Sequence, residues 1–222
     1  MTEVADNLAD IQQKISKIAE KWQREAEEIS LMAVSKKQPL DRVEAALDAG
    51  HRLFGENRVQ EAKEKWPAFR EKFNGIELHL IGPLQTNKAK EAVVLFDVIQ
   101  SVDRPKLARI LAREMKAANK NLPLYIQVNI GEEDQKSGIS LDEADGFIRE
   151  CREDLGLNII GLMCIPPNVE QVAPYFALLA RIAKRNGLEK LSMGMSGDYE
   201  TAIQFGATSV RVGTGVFGSR AY

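Results

Sequence analysis

Eight short apolar runs recur along the chain, and a stretch with helical spacing separates each from the next. They are SLMAVS (30–35), RLFG (52–55), ELHLIG (77–82), DVIQSV (97–102), PLYIQVN (123–129), LNIIGLMC (157–164), KLSMG (190–194) and TSVRVG (208–213). Short apolar runs bounded by turn formers are the pattern of strands buried on both faces. Between them, LDRVEAALDA, RPKLARILAREMKAA, YFALLARIAKR and similar segments carry helical periodicity. Gly50, Gly75, Gly156, Gly187 and Gly206 each lie between a helical segment and the next strand. A left-handed helix cap is needed there. This alternation predicts an α/β fold, a parallel sheet closed into a (β/α)8 TIM barrel. An open doubly wound sheet is the alternative, and near-even units without a break in composition favour closure. One domain over residues 1–222 is expected. Leu8, Ile11, Ile15, Ile18 and Trp22 add an extra N-terminal amphipathic helix over 4–28, which would either cap the barrel bottom or pack against a partner.

With 44% hydrophobic and 28% charged residues over 222 positions, the chain can bury a full core. The net charge of −2 gives no basic surface for nucleic acid. Lysines and arginines alternate with acids in KEKW, REKF and LAREMK, a pattern read as solvated helix faces. The acidic start MTEVADNLAD is not a signal peptide, and no apolar run approaches the roughly 20 residues of a membrane span. A cytoplasmic protein without membrane contact is expected. Cys151 and Cys164 have neither CxxC spacing nor neighbouring histidines, so they are expected to be free thiols and not metal ligands.

In a barrel of this kind, chemistry sits at the C-terminal ends of the strands. The first strand ends in LMAVSKKQP (31–39). Period-two alternation places Met32, Val34 and Lys36 on one face and Leu31, Ala33, Ser35 and Lys37 on the other. One lysine therefore points into the mouth, and alternation alone leaves open which. After strand seven, Met195-Ser196-Gly197-Asp198 opens a helix, and after strand eight, Gly213-Thr214-Gly215 forms a small-residue turn. Loops seven and eight are a recurrent phosphate site built from backbone N–H groups, although ordinary capping would use the same residues. Two tempting motifs fail. The G-x-G-x-x-G at 213–218 does not begin a βαβ unit, and GMSGD has Asp198 where a nucleophile elbow needs glycine. His79, in mid-strand, reads as a satisfied core histidine. Arg211 lies between Val210 and Val212. Buried there, its guanidinium needs an acceptor, either a structural carboxylate or a ring nitrogen on a cofactor. A lysine, a phosphate cradle and an arginine are together what pyridoxal 5'-phosphate (PLP) uses, through Schiff base, phosphate and pyridine nitrogen.

The blocks AVSKKQP (33–39), FGENRVQEA (54–62), HLIGPLQTNK (79–88), QVN (127–129), KSG (136–138), GLM (161–163) and SMGMSGDYETAIQFGATSVRVGTGVFG (192–218) follow one another in the order found in the pyridoxal phosphate homeostasis protein family, which the whole chain resembles. The resemblance implies a barrel like the N-terminal domain of alanine racemase. It further implies PLP on Lys36, Arg211 facing the pyridine nitrogen, Ser196 with the Gly213 and Thr214 amides on the phosphate, and Asn57 against the ring. The function it implies is intracellular PLP homeostasis by buffering and delivery, without catalysis. Partners would be PLP, apo-PLP enzymes and free amino acids, and the chain would be a monomer or weak dimer. The racemase's second, β-rich domain is expected to be absent after Tyr222. A PLP-dependent amino-acid racemase drawing on His79 or Tyr199 is the alternative, and a phosphate-binding barrel without PLP is a third.

Overall fold

The computed structural model describes residues 2–218. In it the eight apolar runs form eight parallel strands that close in chain order into a barrel. The strands are β1 (Ser30–Val34), β2 (Leu53–Glu56), β3 (Glu77–Leu80), β4 (Val98–Val102), β5 (Leu124–Val128), β6 (Ile159–Cys164), β7 (Lys190–Met195) and β8 (Ser209–Val212). β8 pairs with β1 through Ser30–Ser209, Leu31–Val210, Met32–Arg211 and Ala33–Val212. The expectation of a (β/α)8 barrel holds, and the open sheet does not. The five glycines named above have φ between +62° and +98°, the left-handed cap that a β-carbon would strain.

The helices are α1 (Glu3–Lys21), α2 (Leu40–Asp48), α3 (Val59–Lys72), α4 (Ala89–Leu95), α5 (Pro105–Ala117), α6 (Ala144–Arg149), α7 (Ala173–Arg185), α8 (Tyr199–Gln204) and α9 (Thr214–Phe217). A π-turn at Glu150–Asp154 prolongs α6 and buries Cys151. Most of the apolar core lies between sheet and helices: Leu31, Ala33, Phe54, Leu78, Ile99 and Ile126 point outward into one continuous cluster with the helix faces. The barrel interior is different. A small apolar group of Val98, Tyr125 and Met163 shares it with buried polar side chains. Met32 also faces inward, where the missing side chain of Gly55 makes room; a β-carbon there would lie 2.7 Å from the Met32 sulfur.

The N-terminal helix does not cap the barrel bottom; it lies along the outer wall. It ends at Lys21, because Gln23 adopts φ +54°, and a 3-10 turn at Ala26–Glu28 leads into β1. Helix α1 lies against α2, α8 and α9. Among the described residues, only the single turn of α9 follows β8, and α1 fills the place of an eighth outer helix. Val4, Leu8, Ile11, Ile15 and Ala19 form its buried face. Polar contacts fix it at both ends: Asn7 Nδ2 donates to the Val216 carbonyl at 3.1 Å. Beyond its C-terminus, Arg24 Nη1 donates to the Ile203 and Ala207 carbonyls at 2.9 and 2.8 Å. Among the described residues, no helix is long and apolar enough to cross a membrane. Both cysteines are free and buried. Ile15 is completely buried under α1, so Ile15→Ala should lower the unfolding free energy by about 3 kcal/mol. Urea denaturation would measure this, and a loss below about 1 kcal/mol would show that α1 does not carry the outer wall.

Candidate functional site

β1 ends at Val34, and the chain leaves it through Ser35, Lys36 and Lys37. Because Met32 faces the interior, alternation carries Val34 and Lys36 to the same side. Both line a cavity of about 180 Å3 at the C-terminal mouth of the barrel, together with Asn57, Ile81, Ile165, Met195, Ser196, Arg211, Gly213 and Thr214. The six residues singled out from the sequence as cofactor contacts therefore share one cavity. A larger depression beside it, of about 480 Å3, shares only Ile165 and Met195 with it and holds none of the six. Lys37 stands outside, exposed, with φ +56°.

The turn carrying Lys36 is braced from behind by a buried ion cluster. Lys65 Nζ donates to the Ser35 carbonyl at 2.8 Å, to Glu56 Oε1 at 2.9 Å and to Glu61 Oε1 at 3.0 Å. The same Glu56 oxygen accepts from Ser35 Oγ at 2.8 Å and from Trp66 Nε1 at 3.1 Å. Glu61 Oε1 also accepts the Lys37 amide at 2.5 Å. The peptide groups on both sides of Lys36 are thus tied to one cluster. Burial pushes the Glu56 carboxyl up, and the neighbouring Lys65 ammonium opposes that shift. Lys65 corrects the sequence reading, which put KEKW on a solvated face: only 7% of Lys65 is exposed. The signal was present in the register of α3, where Val59, Ala62, Lys65, Trp66 and Phe69 form the buried stripe. Lys65→Met would leave the Glu56 carboxylate buried without its counter-charge and should cost about 3–5 kcal/mol. The double variant Glu56→Gln/Lys65→Met should recover a large part of that loss in urea denaturation. Equal losses in the two would mean that the charges are not coupled.

Arg211 lies at the cavity floor, 4% exposed. Its Nη1 donates to Ser192 Oγ at 2.8 Å, and its Nη2 donates to the Cys164 carbonyl at 2.8 Å. Both acceptors are neutral, and among the described residues Arg211 forms no ion pair, so the structural-carboxylate option fails. Burial pulls its pKa down from its ordinary value, yet a guanidinium keeps its proton in proteins. A buried cation with only neutral acceptors suits a ligand that brings one more acceptor. Asn57 gives a second such indication, because its Oδ1 is buried without a hydrogen-bond partner. The backbone there is pinned by Gly82, where a β-carbon would lie 2.2 Å from the Asn57 carbonyl oxygen.

Opposite these groups, the Met195 amide donates to Asp198 Oδ1 at 2.5 Å, and the Asp198 amide donates back to the Met195 carbonyl at 3.1 Å. This closed turn holds Ser196 exposed at the cavity edge. The Gly213 carbonyl starts the single turn of α9 by accepting from Val216 and Phe217. That turn leaves the first amides beyond Gly213 without intrahelical partners, and Gly213 and Thr214 line the cavity. The two proposed acid–base residues are elsewhere. His79 is buried inside the barrel with both ring nitrogens engaged, by Glu77 and Gln100. Tyr199 packs in the outer core near Lys14 and Asp10 of α1. Neither lines the cavity. Ser192, which contacts Arg211, and Gln100, which contacts Ser192, were not singled out in the sequence; their inward strand positions were the available signal.

Comparison with known proteins follows from this geometry. The profile of the family described as "Alanine racemase, N-terminal domain" matches residues 7–221. The Escherichia coli K12 protein named pyridoxal phosphate homeostasis protein is 40% identical over 231 residues, covering 100% of this chain and 99% of its own. A crystal structure of a Bifidobacterium adolescentis protein superposes with a TM-score of 0.91 at 31% identity, covering 97% of this chain and 94% of that one. PipY of Synechococcus elongatus, solved with PLP bound, superposes at 0.84 with 33% identity, covering 97% and 100%.

Proposed function

We propose, from the premise that this chain belongs to the pyridoxal phosphate homeostasis protein family, that it holds PLP in the mouth cavity on Lys36 and passes it on without catalysing a reaction of its own. One observation supports this most directly: a lysine and a buried guanidinium with neutral acceptors line the same cavity. PLP supplies an aldehyde that condenses with a primary amine, an anionic phosphate, and a pyridine nitrogen that accepts a hydrogen bond. In this reading Lys36 presents the amine, and the cluster around Lys65 fixes the turn from which it projects. Ser196 and the backbone at Gly213 and Thr214 offer donors to the phosphate. Asn57 lies against the ring, and Arg211 faces the pyridine nitrogen.

Arg211 also explains why holding is favoured over turnover. It donates a hydrogen bond without releasing its proton, which leaves the ring a weak electron sink. A racemase needs proton-transfer groups on both faces of a substrate α-carbon, and His79 and Tyr199 lie away from the cavity. Free amino acids, whose amines compete with that of Lys36, and apo-PLP enzymes are the proposed recipients. Borohydride reduction of PLP-loaded protein followed by peptide mapping should label Lys36, and Lys36→Ala should lose that label. A label on Lys37 would overturn the assignment. Incubating the loaded protein with apo-enzymes and L-amino acids should transfer cofactor with no racemisation or α-deuterium exchange. Sustained turnover of any amino acid would make the chain an enzyme.

A further inference from the structure

A continuous line of side-chain hydrogen bonds crosses the barrel interior from Arg211 at the mouth to Glu77 at the opposite end. Arg211 Nη1 contacts Ser192 Oγ at 2.8 Å, and Ser192 Oγ contacts Gln100 Oε1 at 2.6 Å. Gln100 Nε2 contacts His79 Nδ1 at 2.8 Å, and His79 Nε2 contacts Glu77 Oε1 at 2.7 Å. The links come from β8, β7, β4 and β3. Strands β7 and β4 are not neighbours in the sheet, so the Ser192–Gln100 bond spans the barrel. Ser192 and Gln100 are fully buried, and His79 and Arg211 are 5% and 4% exposed. Glu77, the first residue of β3, is 55% exposed through its side chain.

The two end groups fix the direction of every bond between them. A guanidinium only donates and a carboxylate only accepts. Ser192 Oγ must therefore accept from Arg211, and its own hydrogen goes to the Gln100 carbonyl oxygen. The Gln100 amide nitrogen then faces His79, whose Nδ1 must accept. The ring proton consequently sits on Nε2 and is donated to Glu77. Turning the Gln100 amide around would set its nitrogen against Ser192, take away the acceptor of the Ser192 hydroxyl, and demand a proton on Nδ1. The arrangement has one self-consistent sense, with all its dipoles aligned between a cation and an anion. Aligned bonds in a low-dielectric interior strengthen one another. Glu77 only ends this line of bonds; the carboxylate whose charge bears on the Arg211 guanidinium is that of Asp198, which forms no ion pair with it.

We propose that Ser192, Gln100 and His79 are positioning residues, a one-way hydrogen-bond relay that orients the Arg211 guanidinium and so sets how the mouth cavity presents its donor to a ring nitrogen. The last clause rests on the reading of that cavity as the PLP site; the relay itself does not.

The test separates the two. In the protein without added ligand, 15N NMR should find His79 protonated on Nε2 with Nδ1 as acceptor. Gln100→Leu should abolish that tautomer preference and shift the Arg211 guanidinium resonances at the far end. Ser192→Ala removes a single oxygen and makes the same Arg211 comparison if Gln100→Leu does not fold. With PLP added, Ser192→Ala should weaken retention about tenfold, the worth of one hydrogen bond to a charged group, and shift the bound absorption band. Ser192→Thr, which keeps the hydroxyl, should restore both. Arg211 resonances unchanged in Ser192→Ala would overturn the relay, and shifted resonances with unchanged PLP affinity and absorption would overturn its influence on the donor presented to the ring nitrogen. Coupled NMR shifts in a protein that never takes up PLP would uphold the relay and sink only the function proposed for the cavity.

Discussion

The pairing of β8 with β1 is the contact on which the rest of the molecule depends. It sets Met32 beside Arg211 and Ala33 beside Val212. Two turns from opposite ends of the sequence, one carrying Lys36 and one carrying Gly213 and Thr214, thereby border the same cavity. An open sheet of the same strands would leave these two turns on opposite edges. Closure creates the site; no single segment contains it. It also removes both sheet edges, which would otherwise expose unpaired backbone groups.

Closure brings an unusual interior. Barrels of this architecture are commonly filled by layers of branched aliphatic side chains. Here His79, Gln100, Ser192 and Arg211 run through the middle, beside apolar side chains that include Met32, Val98, Tyr125 and Met163. Buried polar groups are costly unless each finds a partner, and these four satisfy one another in a single direction. The apolar driving force for folding lies mainly outside the sheet, in the continuous cluster between strands and helices. Stability and function are in this way assigned to opposite faces of the same strands. A substitution on the outer face acts on folding, and one on the inner face acts on the mouth.

Much of this was legible before any coordinates. The eight runs and the five capping glycines follow from period and turn chemistry, which are local properties; period also grouped Met32, Val34 and Lys36 on one face but left open whether that face is the inner one. Recognisable blocks in a fixed order identified the family, and the six expected residues do meet in one cavity. What escaped was the part decided by long-range partners. Lys65 looked like one more solvated charge because composition says nothing of Glu56 across the α3–β2 interface. The N-terminal helix was read seven residues past its C-terminal end, since the backbone reversal at Gln23 has no glycine to announce it (4–28 against Glu3–Lys21). Its place in the outer ring depends on how short α9 is, and helical spacing alone does not reveal that.

Ring completion by α1 has a kinetic consequence. The Asn7–Val216 bond joins residues separated by 209 positions, so this wall closes only after nearly all of the chain is available. During synthesis Asn7 precedes by 209 positions the segment that it joins. Until then the stripe of Val4, Leu8, Ile11 and Ile15 has only α2, and not α8 or α9, to pack against. Contacts so distant in sequence are slow to form. Helix α1 is thus held in the finished molecule by partners that are distant in sequence.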